Sequence, residues 1–247
     1  LHVRSRRQRQ MCIRDRSIGM LLSALAMTWH LVHFHYVKFN KESMYEVSKK
    51  IILLCIPLLL SAQFIAGILN EALDLTDTNQ ELFISMSHNI FGVLSIAIVV
   101  PILEEVLFRG AIEGHLLRKG WSPKWAILVS ALIFGIIHGN PAQIPFAFLI
   151  GLLFGWLYYR TGSLVPGIVG HIINNSFGAW TMFTATREEL SQTTMETLGT
   201  TITYILLVLA IIVFIGMYLY LNKYLPKPTN IPVSYTHLRA HETCADL

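Results

Sequence analysis

The chain has 247 residues, of which 53% are hydrophobic and only 14% are charged, and its mean hydropathy is +0.53. In a soluble domain of this length about a quarter of the residues are charged, so the composition excludes an ordinary soluble enzyme. The formal net charge is +4. Many of the cations lie at the chain ends, and we therefore infer no nucleic-acid binding from this charge.

Both ends of the chain differ in character from the rest. Residues 1–16 are densely basic and stop abruptly at an apolar block, and residues 234–247 are polar and lack an apolar helical face. Both ends resemble translated sequencing-adapter sequence, so we predict that they are non-native and leave them out of fold reasoning. The alternative is a basic anchor and a disordered tail. Between the ends only Cys55 remains, which provides neither a disulfide nor a cysteine-based metal site.

Apolar blocks of about the length that crosses a bilayer follow one another along the chain. They predict transmembrane helices at residues 17–37, 51–69, 86–103, 124–139, 144–159, 164–183 and 201–221. A further helix at 102–118 either continues the third or follows it, with Pro101 at a kink or in a first turn. The predicted fold class is all-α, a polytopic transmembrane helical bundle of seven or eight helices.

Charges in the short loops predict an orientation. Lys or Arg residues follow the first span, the helix at 102–118, the fifth span and the last, whereas the loop 70–85 is acidic and has no Lys or Arg. The positive-inside rule places the basic loops in the cytoplasm. Simple alternation then puts His138 near the outer end of its helix and Glu104 nearer the inner side. Either the helix that carries Glu104 reaches deeper, or one helix is short or re-entrant.

The first of three polar clusters inside the apolar blocks is PILEEVLFRG. Ionisable residues in such blocks are costly and tend to mark a function. Glu105 and Arg109 are four residues apart, so they share a helix face on which they can pair. Glu104 points about 100° away, so it can face a cavity as a general base while Glu105 is held by the Arg. The alternative is a surface pair at a helix end.

The other two clusters carry imidazole and amide groups. His138 closes the apolar run ALIFGIIHGN one turn after Phe134, where a hydrogen-bonded interface residue is the alternative to a catalyst. In GIVGHIINNSFGAW, His171 and Asn175 are four residues apart and face the same way, and Asn174 is the less favoured rival. Buried amides and imidazoles need hydrogen-bond partners, which either a substrate or a neighbouring helix provides.

The order EE-x-x-x-R, F-x-x-x-H and H-x-x-x-N on apolar helices resembles the motif set of the CPBP family. This family includes the type II CAAX prenyl endopeptidases and bacterial Abi-type proteins, some of them linked to bacteriocin self-immunity. The resemblance covers about residues 90–180, and no motif position is missing. We accordingly predict five segments: a non-native N-terminus at 1–16, N-terminal transmembrane helices at 17–85, a CPBP/Abi-type catalytic core at 86–183, a C-terminal loop and transmembrane helix at 184–225, and a tail at 226–247.

The resemblance implies an intramembrane endopeptidase that hydrolyses peptide bonds of membrane-associated substrates near the cytoplasmic side. Its predicted catalytic residues are Glu104, Glu105, Arg109, His138, His171 and Asn175. By their positions in the motifs, Glu104 activates a water with the help of His138, whereas His171 and Asn175 stabilise the oxyanion. The Glu–Arg pair of the first motif orients the site.

The preferred mechanism requires no cofactor, and zinc is the alternative, because the family has also been described as metalloproteases. In that case Glu104, His138 and His171 would be the metal ligands. The zincin pattern H-E-x-x-H is absent, since His241 and Glu242 lack the second His and lie in the tail. The expected partners are membrane lipid and a peptide or protein substrate in a bacterial cytoplasmic membrane, with no nucleic acid.

Several alternatives stay open on the sequence. A membrane scaffold, a bacteriocin-immunity protein or a small transporter could use the same polar bundle without proteolysis. A rhomboid-like serine mechanism fits worse, because neither Ser163 nor Ser176 lies in a nucleophile motif. The loop 184–200 is either a lid or a solvated connection. Gly151 and Gly155 support close packing either within the chain or in a dimer.

Overall fold

The computed structural model describes residues 6–37 and 47–225, and all regular elements in those two ranges are helical. The described part contains nine α-helices. They are α1 (Arg6–His33), α2 (Lys49–Glu71), α3 (Gln80–Ser87), α4 (Ile90–Arg118), α5 (Pro123–Ile137), α6 (Ile144–Thr161), α7 (Val165–Thr184), α8 (Thr194–Leu198) and α9 (Thr200–Tyr224). The predicted all-α helical bundle is confirmed. The predicted tail at 226–247 lies outside the described residues.

The seven predicted spans correspond to the seven long helices. The helix predicted at 102–118 continues the third span, and together they form the single helix α4. Among the described residues α2, α4, α6 and α9 are long and apolar enough to cross a membrane, and α5 is a shorter apolar helix of 15 residues. A short helix was one of the two alternatives that the sequence left open for the depths of His138 and Glu104, and α5 is such a helix. His138, at the end of α5, lines the same cavity as Glu104 in the middle of α4.

Helix α4 is irregular around its two adjacent glutamates. Regular turns at Val100–Glu105 lie between two π-helical segments, Ser95–Val99 and Val106–Glu113. Pro101 occupies the first turn of the regular part, where its missing N–H and its ring are tolerated. Wide turns of this kind leave carbonyl groups free for other partners and occur frequently at functional sites.

Helix α4 lies inside the bundle, where it packs against α1, α5, α6 and α7. A separate apolar core joins α2, α6 and α9 through buried side chains such as Leu58, Phe154 and Leu221. Cys55 is buried in that core. Its thiol therefore has the environment of an ordinary apolar side chain.

The loops after α2, α5 and α7 form one connected layer at an end of the bundle. Asn140 donates to Asp77 over 2.8 Å and accepts from the backbone of Thr78 over 3.0 Å. Across the layer, the hydroxyl of Thr194 donates to Glu71 over 2.6 Å. The contact of Thr194 holds the segment between α7 and α9 against the end of α2. Arg187 of the same segment bonds Glu81 in the first turn of α3.

Candidate active site

The first motif forms a buried ion pair on α4. Arg109 Nη1 lies 3.1 Å from Glu105 Oε1, and both side chains are only 1% exposed, which rules out a surface pair. Arg109 Nη2 donates to the carbonyl of Gly151 over 3.1 Å, and the guanidinium lies 4.4 Å from the ring centre of Phe134. Three neighbours therefore fix the guanidinium of Arg109. Removing only one partner of a buried ion pair strongly destabilises a protein, because the other charge stays buried without compensation.

His171 lies between Glu104 and Glu105 of α4. Its Nδ1 is 3.0 Å from Glu105 Oε1, and its Nε2 is 3.4 Å from Glu104 Oε2. The imidazole is buried beside the rings of Phe134 and Phe154, with centroid distances of 5.8 and 5.3 Å. The family resemblance implied that His138 assists Glu104. In the structure the imidazole that contacts the Glu104 carboxylate is His171, and His138 lines the same cavity.

His138 follows the last turn of α5, where its ring is fixed from one side. Its Nδ1 lies 2.7 Å from the carbonyl oxygen of Phe134, and the two rings meet edge to face at 5.0 Å. A proton on Nδ1 satisfies that carbonyl and leaves Nε2 as the free acceptor. His138 lines the cavity described below, so it is a candidate for moving a proton there.

The amide of Asn175 is held by two contacts. Its Nδ2 donates to the carbonyl oxygen of Ile96 over 2.9 Å, and its Oδ1 accepts from Asn174 over 3.0 Å. The carbonyl of Ile96 belongs to the π-helical segment Ser95–Val99. An amide NH₂ group has two hydrogens, so one N–H of Asn175 remains for a further acceptor. Asn174, the less favoured rival in the sequence, contributes by fixing that amide.

Most of these side chains line one cavity of about 350 Å³. Its polar wall comes from α4, α5 and α7 and contains Glu104, His138, His171, Asn174 and Asn175. The remaining wall is mostly apolar. Glu105 and Arg109 do not line the cavity but lie behind His171. The three motifs thus converge, with four of the six predicted residues at the wall and two behind it.

The groups around the cavity do not fit a metal ion. Within the described residues there is no group of three His, Cys, Asp or Glu side chains that could hold one. The alternative ligand set of Glu104, His138 and His171 is therefore not assembled, and we derive no step through a metal.

A second buried carboxyl group beside Glu105 was missed in the sequence. Glu113 ends the second π-helical segment and is fully buried. The sequence does contain a signal for Glu113. Glu105, Arg109 and Glu113 follow one another at a spacing of four residues, which places them on one face of a helix. Glu113 lies outside the three motifs.

Comparisons with known proteins support these motifs. Residues 86–177 match the model of the family described as type II CAAX prenyl endopeptidase Rce1-like. This range contains all three motifs, so the predicted family resemblance is confirmed there, together with an integral membrane location. No solved structure matches the chain.

Three curated bacterial relatives share part of the chain. "Putative membrane peptidase YdiL" of Bacillus subtilis is 38% identical over 81 residues, which is 33% of each chain. "Membrane-embedded CAAX protease MroQ" of Staphylococcus aureus is 33% identical over 106 residues, 41% of this chain and 42% of the relative. "UPF0177 protein YxdF" of Lactococcus lactis is 28% identical over 122 residues, 49% of this chain and 63% of the relative. The matches thus span less than two thirds of each relative.

Proposed function

We propose that the protein is an intramembrane endopeptidase acting on membrane-associated substrates, because residues 86–177 match the model of the Rce1-like type II CAAX prenyl endopeptidase family. The observation that carries the proposal is the contact of Glu104 with His171 at the wall of a largely apolar cavity, at 3.4 Å. A carboxylate held beside an imidazole in such a place is suited to act as a general base.

In the proposed reaction Glu104 takes a proton from a water molecule, whose oxygen attacks the peptide carbonyl carbon. The carbonyl oxygen becomes an oxyanion and the C–N bond then breaks. The proton passes to the leaving nitrogen, either from Glu104 or through His138. General acid–base catalysis of this type contributes about 10²–10⁴-fold to a rate.

The oxyanion needs donors that are already aimed at it. His171 Nδ1 is held by Glu105 at 3.0 Å, whereas the 3.4 Å between Nε2 and Glu104 is longer than a good N–H···O bond. Because Nδ1 donates to Glu105, an N–H on Nε2 exists only in the imidazolium form of His171. This doubly protonated ring is the proposed donor to the oxyanion. The second N–H of Asn175 is the other proposed donor, because its first is used on the carbonyl of Ile96.

The test compares two purified forms in detergent. We expect the native protein to cleave an internally quenched fluorogenic peptide with an apolar segment, and Glu104→Ala to lose at least about 100-fold in rate. Circular dichroism and the melting temperature check that the variant is folded. The same assay with a chelator is expected to leave the native rate unchanged. Cleavage at the native rate by Glu104→Ala, or no cleavage by the native protein, would contradict the proposal.

A further inference from the structure

Glycines of the helices around α4 lie against its buried charged side chains. On α6, a Cβ at Gly151 would lie 3.2 Å from Arg109 Nη2, and a Cβ at Gly155 would lie 2.6 Å from Glu113 Oε2. The small-residue pair seen in the sequence therefore serves packing within the chain. A third glycine of this kind, Gly167, belongs to α7.

Gly167 gives the carboxyl group of Glu105 its place against α7. A Cβ at Gly167 would lie 2.7 Å from Glu105 Oε2, 3.3 Å from its Cδ and 3.7 Å from its Cγ. Non-bonded heavy atoms attract each other best at about 3.5–4.0 Å. Any side chain at this buried position would therefore push the carboxyl group away.

The carboxyl group of Glu105 has little freedom to give way. Its Oε1 is shared by two contacts, 3.1 Å from Arg109 Nη1 and 3.0 Å from His171 Nδ1. Its Oε2 has no hydrogen-bond partner within the described residues and lies against Gly167. Because both oxygens belong to one planar group, displacing Oε2 also displaces the oxygen that holds the guanidinium and the imidazole.

The position of Gly167 on α7 relates it to His171. Gly167 lies in the first turn of this helix and is four residues before His171, about one turn. The first turn of a helix carries a partial positive charge, which stabilises an anion. The helix that presents His171 to Glu105 therefore also stabilises the Glu105 carboxylate.

We propose that Gly167 is a positioning residue, whose missing side chain lets Glu105 reach the first turn of α7 and hold His171. Gly167 is not among the residues that line the cavity. It therefore acts on the imidazole through Glu105 and does not touch the substrate. The effect on catalysis rests on the proposed peptidase function, whereas the effect on His171 does not.

A test without substrate compares two crowded glycines in folded protein, as checked by circular dichroism. Gly167→Ala is expected to shift the ring ¹⁵N resonances of His171, which are assigned by their loss in His171→Gln. Gly114→Ala is the matched control, because a Cβ there would lie 2.8 Å from Tyr158 Oη and 2.9 Å from Arg118 Nη1 but away from the cavity. Its His171 resonances are expected to stay native. Native resonances in Gly167→Ala, or the same shift in both variants, would overturn the proposal.

A shorter acid tests whether the effect passes through residue 105. In Glu105→Asp the carboxyl carbon takes the place of Cγ, which is 3.7 Å from a Cβ at Gly167. This distance is an ordinary contact, so adding Gly167→Ala to Glu105→Asp is expected to change neither the His171 resonances nor the melting temperature. The comparison holds even if Gly167→Ala alone does not fold. A further shift or a further loss of stability in the double variant would overturn the proposal.

The kinetic test uses the same variants in the peptide assay. Gly167→Ala is expected to lower kcat about ten- to a hundredfold with little change in KM, because small displacements of catalytic groups cost rate. Gly114→Ala is expected to keep the native kcat. A native kcat in Gly167→Ala would contradict the effect on catalysis. If the native protein cleaves no peptide while the His171 resonances respond as expected, the proposed function fails and the role of Gly167 stands.

Discussion

Glu104 and Glu105 are neighbours in the chain but lie in different environments. The Glu105 side chain is 1% exposed and paired with Arg109, whereas the Glu104 side chain is 19% exposed and lines the cavity. A helix turns by about 100° per residue, so adjacent side chains face different neighbours. This separation lets Glu105 hold His171 while Glu104 stays available for a water molecule.

The buried pair gives a prediction for stability. Arg109→Leu leaves Glu105 buried without its cation, and we expect the free energy of unfolding to fall by about 3–5 kcal/mol. Thermal unfolding in detergent measures the change. The double variant Glu105→Leu, Arg109→Leu removes both charges and is expected to recover most of that loss. Native stability in Arg109→Leu would contradict the described pair.

The two amides of α7 give a prediction for catalysis. Asn175→Ala removes a proposed oxyanion donor, and we expect kcat to fall by about 10²–10³-fold. Asn174→Ala removes only the contact that holds Asn175 Oδ1, so its effect is expected to be smaller. Initial rates at saturating peptide measure both. If Asn174→Ala lowers kcat more than Asn175→Ala does, Asn174 rather than Asn175 is the oxyanion donor, which would contradict the proposed roles.

At the scale of elements, the apolar blocks predicted the long helices because bilayer thickness sets their length. The spacing of Glu105 and Arg109 predicted their pair, since any helix brings such positions together. The π-helical segments of α4 were not predictable, because hydropathy does not distinguish their hydrogen-bond pattern from that of an α-helix. The position of His171 between Glu104 and Glu105 depends on how α7 packs against α4, which no local pattern encodes.

The packing of α5 on α6 gives a prediction at this scale. A Cβ at Gly135 would lie 3.0 Å from the carbonyl oxygen of Ile144 and 3.1 Å from Phe148 Cβ. Gly135→Val therefore overpacks this contact, and we expect a loss of about 1–3 kcal/mol in the free energy of unfolding. The same substitution at Gly67, where a Cβ meets nothing within 4 Å, is the control. Equal melting temperatures for the two variants would contradict the described contact.

At the scale of the whole molecule, the segment between α7 and α9 is attached to the rest by an exposed ion pair. Arg187 bonds both carboxyl oxygens of Glu81, and these hydrogen bonds lower the pKa of Glu81 below its usual value. A lowered pKa means that the stabilising contribution is present at neutral pH and is lost as the pH falls through that pKa. Salt weakens the same contact.

This attachment predicts a pH-dependent change in the loop. We expect amide hydrogen exchange in residues 186–193, corrected for its intrinsic pH dependence, to speed up as the pH falls below the usual range of Glu81. In Glu81→Gln the loop is expected to exchange faster already at neutral pH. Hydrogen bonds from Thr186 and Thr193 also lower the pKa values of Glu189 and Glu196. These two groups are the same in the native protein and in Glu81→Gln, so they do not account for a difference between the two. Identical neutral exchange in native protein and Glu81→Gln would contradict the attachment.

The cavity also connects the proposed catalytic groups to the end of the bundle. Asn79 and Gln143 line it beside the layer of loops that follow α2 and α5. The side of the membrane that this end faces stays a prediction, as do the substrate and the division of the chain into segments. The convergence of three motifs on one cavity does not depend on that orientation.

The most direct test of this convergence is a cryo-electron microscopy structure of the protein with a peptide aldehyde, whose hydrate resembles the tetrahedral intermediate. We expect the hydrated carbon inside the cavity, with one oxygen about 3 Å from Glu104 and the other about 3 Å from His171 Nε2 or Asn175 Nδ2. An aldehyde bound elsewhere, or Glu104, His171 and Asn175 facing separate spaces in that structure, would contradict the proposed active site.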